Sequence, residues 1–381
     1  MRERSYKVYQ MGEKLMAETT YFFAGANSGS GFRNLFGEIL NPETAKDMII
    51  LKGGPGTGKN TFMHKIGSTM EKAGAAVEYL CCSGDPDSLD GVVIPQINCA
   101  AADGTSPHEL EPRYPAAVDR IVDLGQFCDI DGIKQHTEKI RQLNKKAKAC
   151  SNLANRCLRT AYCMEKAACE TVNETFDADE AFRWGNEIIQ REIPRTDRPA
   201  GRTKRRFLGS ITRKGYVWRF DTVETLCGRV YELCDRWGQG GVVLKQLHFA
   251  AAERGWDTVL CPSAETPEMP EHLLIPELGL AFVTSRPQMK YPGKAASKLD
   301  IDSFSHPAEK EKLCFWEKTA ETLRREGADT LKISGNIHDE LEKIYNPYVD
   351  FEKVQALAER EAERLLGWLS EQKSCQPLPR K

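Results

Sequence analysis

The sequence predicts an α/β protein built from two similar halves, each with a parallel sheet and an added helical layer. Three observations predict it: apolar β-type runs that alternate with helical stretches, an internal repeat, and a glycine-rich turn between a strand and a helix. The chain has 381 residues, enough for about two ordinary domains. Its 40% hydrophobic and 28% charged residues can cover and fill sizeable cores. Lys plus Arg number 53 and Asp plus Glu 55, for a net charge of -2, which argues against a strongly basic nucleic-acid protein or an acidic disordered chain. No apolar run is long enough for a membrane span. Met1 to Gln10 is charged, with no apolar stretch behind it, so no signal peptide is expected. The 13 cysteines are odd in number and contain no C-x-x-C pair. They read as small apolar residues in a reducing, cytoplasmic setting rather than as disulfides or zinc ligands.

The repeat is visible at several points. Val92-Val93-Ile94-Pro95-Gln96-Ile97 returns as Leu273-Leu274-Ile275-Pro276-Glu277-Leu278, an offset of 181, and Gly74 and Gly255 share that offset. Upstream, with three residues of adjustment, Phe23, Gly25, Gly31 and Phe32 match Phe207, Gly209, Gly215 and Tyr216. Downstream, Arg113-Tyr114-Pro115 matches Lys290-Tyr291-Pro292, with four residues missing from the second copy. Several matches in register argue for duplication, with a first domain over 1–192, a basic linker over 193–206 and a second domain over 207–381.

Within the first half the elements follow in order. A strand is expected over Tyr21 to Ala26, matched by Arg206 to Ser210, and a helix after Gly31. Met48 to Lys52 reads as a buried strand and Gly58 to Lys72 as a helix; strands follow at Val77 to Cys82 and Ile97 to Ala102. From Ile140 a helical seam of small and apolar residues runs through Leu143, Ala147, Cys150, Ala154, Cys157, Ala161, Met164 and Ala168, suited to close packing on another helix of the same chain. Val354, Ala358, Ala362, Leu365 and Leu369 mark the corresponding layer of the second half.

The strongest chemical signal is Gly53-Gly54-Pro55-Gly56-Thr57-Gly58-Lys59-Asn60-Thr61, entered from the Met48 run and left by a helix. Glycines let backbone N–H groups close around phosphate oxygens, the helix N-terminus adds a positive dipole end, and Lys59 supplies a charge for the β and γ phosphates. The segment resembles the Walker A motif of the P-loop NTPases, which implies ATP and Mg²⁺ as ligands. It departs from that motif at Asn60, where a Ser or Thr hydroxyl would bind Mg²⁺. An amide oxygen is a weaker ligand, and Thr61 is turned elsewhere on the helix. Some nucleotide kinases carry a similar loop, so nucleotide binding survives the departure more safely than hydrolysis. Ile97 to Asp103 resembles Walker B, with Asp103 as a second metal ligand beside Asn60.

Asp85, after the third strand, is a candidate to position an attacking water. Asp90 reads as a helix cap or first-turn charge, and His108 as a surface loop residue. The whole arrangement resembles bacterial proteins with two tandem P-loop NTPase repeats, in which both loops can be intact. Here the second loop, Cys234 to Val242, keeps glycines and loses the lysine; at offset 181 Lys59 falls on Gly240 and Asp103 on Thr284. The fold class is therefore two tandem P-loop NTPase-like domains, the second degenerate and paired with the first. The resemblance implies ATP binding and hydrolysis, with Arg206 or Arg236 available as an assisting arginine. A nucleotide or small-molecule kinase is the alternative, although no arginine-rich lid follows the loop. A third reading is a non-enzymatic ATP-sensing scaffold or a nucleic-acid binder, prompted by the basic residues between Arg191 and Arg206. Those lack interleaved aromatics and read as a solvated linker.

Overall fold

The computed structural model describes residues 18–375, so the Met1 to Gln10 segment lies outside the described residues. The first repeat runs β1 (Thr19–Phe23), β2 (Gly25–Ser28), β3 (Gly31–Asn34), β4 (Asp47–Lys52), α1 (Lys59–Lys72), β5 (Val77–Cys81), β6 (Leu89–Ile94), β7 (Cys99–Asp103), β8 (Asp119–Asp123), α2 (Ile130–Lys134), α3 (Thr137–Asn173) and α4 (Ala178–Glu192). The second runs β9 (Thr203–Arg205), β10 (Gly209–Thr212), β11 (Gly215–Trp218), α5 (Phe220–Leu226), β12 (Arg229–Cys234), α6 (Gly241–Glu253), β13 (Thr258–Pro262), β14 (Pro270–Ile275), β15 (Leu280–Ser285), β16 (Ser297–Asp300), α7 (Lys310–Tyr345) and α8 (Phe351–Cys375). The first sheet has the order β1-β5-β6-β7-β4-β8 and the second β9-β13-β14-β15-β12-β16. Each strand of the second sheet stands where the strand eight places earlier stands in the first, so the duplication spans both sheets.

The sheets are mixed rather than parallel. β6 runs against β5 and β7, and β14 against β13 and β15, while the remaining pairings are parallel. The cause is connection length: the 82–88 and 95–98 links are shorter than the dozen or so residues of a parallel crossover. Two local readings also change. The stretch after Gly31 is a strand, not a helix: β2 and β3 form a hairpin, as do β10 and β11. Ile97 belongs to a 3-10 turn before β7.

Strand alternation sorts the cores. In β4, Ile49 and Leu51 face helices, whereas Met48 and Ile50 face the other sheet. Met48, Ile50, Ala100 and Ala102 share one core with Val230, Leu274, Ala281 and Val283, so the two sheets pack face to face. The outer faces are covered by exchange. Val354, Leu357, Ala358, Ala362, Leu365 and Leu369 of α8 pack with Phe62, Met63, Ile66 and Met70 of α1, in the first repeat. Ala181, Ile188 and Ile189 of α4 pack with Val243, Leu244 and Leu247 of α6, in the second. The 1–192 and 207–381 division therefore does not separate two cores: each repeat donates its last helix to the other. α3 and α7 run antiparallel, with Leu143 against Leu341 and Ile344, and Gly327 close to Leu158. The small-residue seam thus meets α7 of the other repeat.

Polar contacts seal the exchange. Buried Asp47 of β4 accepts from Arg120 (2.9 and 3.1 Å) and from Arg364 of α8 (2.5 Å), and Glu361 of α8 accepts from Arg120 at 2.9 Å. The basic 193–206 segment is largely exposed, but it is tied to the body of the protein by strand pairing and ion pairs rather than free. It contains edge strand β9, and Arg198, Arg202, Lys204, Arg205 and Arg206 pair with Glu277, Asp257, Glu78, Glu38 and Glu78. Arg206 is 1% exposed and donates to Glu78 at 2.6 Å and to the carbonyls of Glu38 and Ile39. Burial works against a charged Glu78, yet Arg206 and Lys204 bring its carboxyl down to about 2.

Arg206→Ala leaves Glu78 buried beside Lys204 alone, and a loss of roughly 3–5 kcal/mol is expected in denaturant unfolding. A chain ended after Asp350, without α8, uncovers the outer face of the first core. It is expected to lose cooperative melting of the first repeat, whereas a self-contained first domain would keep it.

Candidate functional site

The loop between β4 and α1 is held open by backbone conformations that favour glycine: Gly56 has φ 71° and Gly58 φ 91°. Thr57 is buried, and its hydroxyl donates to the Gly54 carbonyl at 2.9 Å, which closes the turn from within. Lys59 opens α1 and folds back over the loop. Its Nζ donates to the carbonyls of Gly53 (2.8 Å) and Gly54 (2.9 Å) and lies 3.7 Å from Asp103 Oδ2. β4 and β7 are neighbours with Leu51 opposite Asp103, so the sheet itself places the acid beside the loop. Asp103 Oδ1 accepts from the N–H (2.8 Å) and hydroxyl (2.5 Å) of Thr105, leaving Oδ2 on the lysine side. The backbone N–H groups of the first turn, at Lys59, Asn60 and Thr61, have no partner within the helix.

The remaining sequence-derived residues separate. The Asn60 amide oxygen accepts from the Leu89 N–H at 3.0 Å and so anchors the start of β6. Thr61 is exposed on α1, and Pro55 is half-buried in the loop. Asp85 lies in the loop after β5, a strand three places from β4 in the sheet, with Arg213 of the β10–β11 hairpin 3.7 Å away. That arginine also pairs with Asp339 of α7 at 2.7 Å. Arg206 and Arg236 are engaged elsewhere, with Glu78 and Glu317.

Two residues move inward relative to their expected places. Asp90 is no helix cap: it lies in β6 and is 3% exposed. His108 is 6% exposed, not a surface loop residue, with its Nε2 3.3 Å from Asp90 and its ring against Phe36. Burial pulls the imidazole down, but Asp90, with help from Asp103, outweighs it and the pKa is raised. The second repeat repeats the device: Glu271, in the matching position of β14, is 3.4 Å from Arg286, also from the loop after the next strand. The persistence of an acid at both positions was the legible signal of a buried role.

The outer side of the loop belongs to the second repeat. The Gly54 backbone packs on the ring of Tyr345, the Gly56 backbone on Glu342 and Asn346, and Gly58 on Val354 and Phe351. With its amide turned to satisfy both ends, Asn346 donates to the Gly56 carbonyl at 3.1 Å. No sequence pattern pointed to this buttress. Beside Gly54 and Thr57 opens a pocket of about 370 Å³, lined by Ile130, Ile133, Ile140 and Tyr345, with Lys134 and Arg141.

In the second repeat, six-residue loops separate strand and helix as in the first (53–58 and 235–240), so Lys59 matches Gly241, one residue beyond the Gly240 expected. Asp103 falls on Thr284, a buried neutral residue. No protein-family model, curated protein or solved structure matches the chain. Among the described residues no helix is long and apolar enough to cross a membrane.

The raised His108 pKa means that its pairing with Asp90 stabilises fully below about pH 6.5 and fades as pH rises through the higher folded value. His108→Gln is expected to remove that component: its melting temperature should fall less than the wild type's between pH 6 and 8. Parallel curves would deny the pair a charged form.

Proposed function

We propose that the chain binds ATP in the manner of the P-loop NTPases and hydrolyses it at one site, in the first repeat. The observation that carries this reading is the Lys59 ammonium, set inside a positive-φ glycine loop and 3.7 Å from the Asp103 carboxylate at the end of the neighbouring strand.

The residues present fit a triphosphate. The first-turn N–H groups and the α1 dipole favour an anion, and Lys59, now held only by loop carbonyls and Asp103, is free to turn to phosphate oxygens. They also fit Mg²⁺, which is bound through one or two carboxylates plus substrate phosphates. Asp103 supplies the carboxylate; Asn60 would have to give up its bond to Leu89 to contribute. An ion held by Asp103 would supply positive charge to offset that developing on the phosphates. Lys59 orients the terminal phosphate, Thr57 keeps the loop closed, and the Tyr345–Asn346 buttress keeps it from opening outward. Asp85 holds Arg213, so that an arginine of the second repeat stands on the first. The pocket beside Gly54 has the size and the apolar lining with few polar groups that suit a nucleoside.

Calorimetric titration with Mg-ATP tests the reading. Lys59→Ala removes a charged hydrogen bond of up to about 3 kcal/mol, so affinity should fall roughly 100-fold, with phosphate release lost alongside. Ile133→Asp should weaken ATP while leaving inorganic tripolyphosphate unchanged. Equal Mg-ATP binding by wild type and Lys59→Ala would dismiss the site.

A further inference from the structure

The matching loop of the second repeat contains its own anion. Asp235 stands where the first repeat has Gly53, directly after the strand. Its carboxylate is turned into the loop: Oδ1 accepts from the N–H groups of Gly238 and Gln239, each at 2.8 Å, and Oδ2 from Gly240, also at 2.8 Å. The side chain is 2% exposed. Gly238 has φ 84°, close to the 71° of its counterpart Gly56, so that part of the turn survives, whereas Gly240 is right-handed (φ -63°) where Gly58 is left-handed (φ 91°). Three convergent N–H groups at the start of α6 form the arrangement that would otherwise receive a phosphate. A carboxylate in that place satisfies the same donors with charge-assisted bonds.

The surroundings fit a cradle for negative charge. The Arg286 guanidinium, already paired with Glu271 at 3.4 Å, also borders the loop, with Nη2 3.9 Å from the position a Gly238 Cβ would take and its Nε buried without a hydrogen-bond partner. Asp302, across the loop, accepts from the Arg236 N–H at 3.0 Å; burial first, and then the Asp235 charge, push its carboxyl up to about 6. The Asp235 carboxyl group itself thus occupies the loop. In the first repeat the corresponding position has no room for such a group, because a Cβ at Gly53 would come within 2.5 Å of the Thr57 hydroxyl.

We infer that the second loop is an anion cradle plugged by the Asp235 carboxylate, so that the chain takes a single nucleotide and regains a second phosphate site when that carboxylate is removed. The single-nucleotide part rests on the ATP reading of the first repeat. The plug does not.

The test uses the full chain and inorganic tripolyphosphate. In Lys59→Ala, which lacks the first site, little binding is expected. Adding Asp235→Gly should raise tripolyphosphate binding roughly tenfold or more, at one site per chain. A folded double variant that binds no better than Lys59→Ala would overturn the plug. If the double variant does not fold, Asp235→Ala on the Lys59→Ala background decides, since that position already holds a Cβ: a folded variant should bind tripolyphosphate better than Lys59→Ala alone, and no gain would overturn the proposal. Native mass spectrometry of the wild type should show one Mg-ATP per chain, and two would overturn it. No nucleotide on the wild type, together with a gain from Asp235→Gly, would sink the ATP reading and leave the plug standing.

Discussion

The contact between α1 and α8 holds together much of what surrounds it. α1 begins at Lys59, so whatever fixes this helix also aims the lysine. Its outer face, with Phe62, Ile66 and Met70, is covered by α8, which is supplied from the far end of the chain. Burying Leu357, Leu365 and Leu369 stabilises by about 1.5–3 kcal/mol each. The exposed Lys65–Glu359 pair at 2.8 Å on the same interface is screened by solvent and adds little beside this packing. Apolar packing therefore decides the exchange, and the buried Asp47–Arg120–Glu361–Arg364 network fixes its register. The scaffold of the first loop is thus completed by residues from the far end of the chain.

The same exchange divides labour between copies that began alike. Between the two copies, Gly53 corresponds to Asp235, Lys59 to Gly241 and Asp103 to Thr284. Each change by itself would weaken a phosphate site; together they replace an external anion with an internal one. What the second repeat keeps is structural: its sheet backs the first, Arg206 anchors Glu78, and the α7–α8 junction supports the loop glycines. The acid of β6 or β14 remains in both copies, beside His108 in one and Arg286 in the other.

Much of the site was legible because its signals are local. A glycine-rich turn between an apolar run and a helix can be read from adjacent residues, and so can the repeat of Ile94-Pro95 as Ile275-Pro276. The strand at Met48 declared itself by a continuous apolar run, and that at Val77 by an apolar run interrupted only by Glu78. What failed depended on contacts distant in sequence. Nothing in Val354 to Leu369 says which α/β half its seam will cover. The basic residues 198–206 looked like a solvated linker because their partners, Glu38, Glu78, Asp257 and Glu277, lie elsewhere in the chain. Asp90 was misread because Asp85-Pro86-Asp87-Ser88 resembles a capping turn, while the strand that buries it starts only at Leu89. The hairpin after Gly31 was taken for a helix since its polar residues carry neither period clearly.

Hydrogen exchange of the full chain with and without Mg-ATP tests the central claim most directly, because it reads both loops and the buttress together. One nucleotide in a loop supported by the other repeat should protect residues 53–61 and, through Tyr345 and Asn346, residues 342–354, while residues 235–241 exchange unchanged. Protection at 235–241, or protection at 53–61 with none at 342–354, would contradict it.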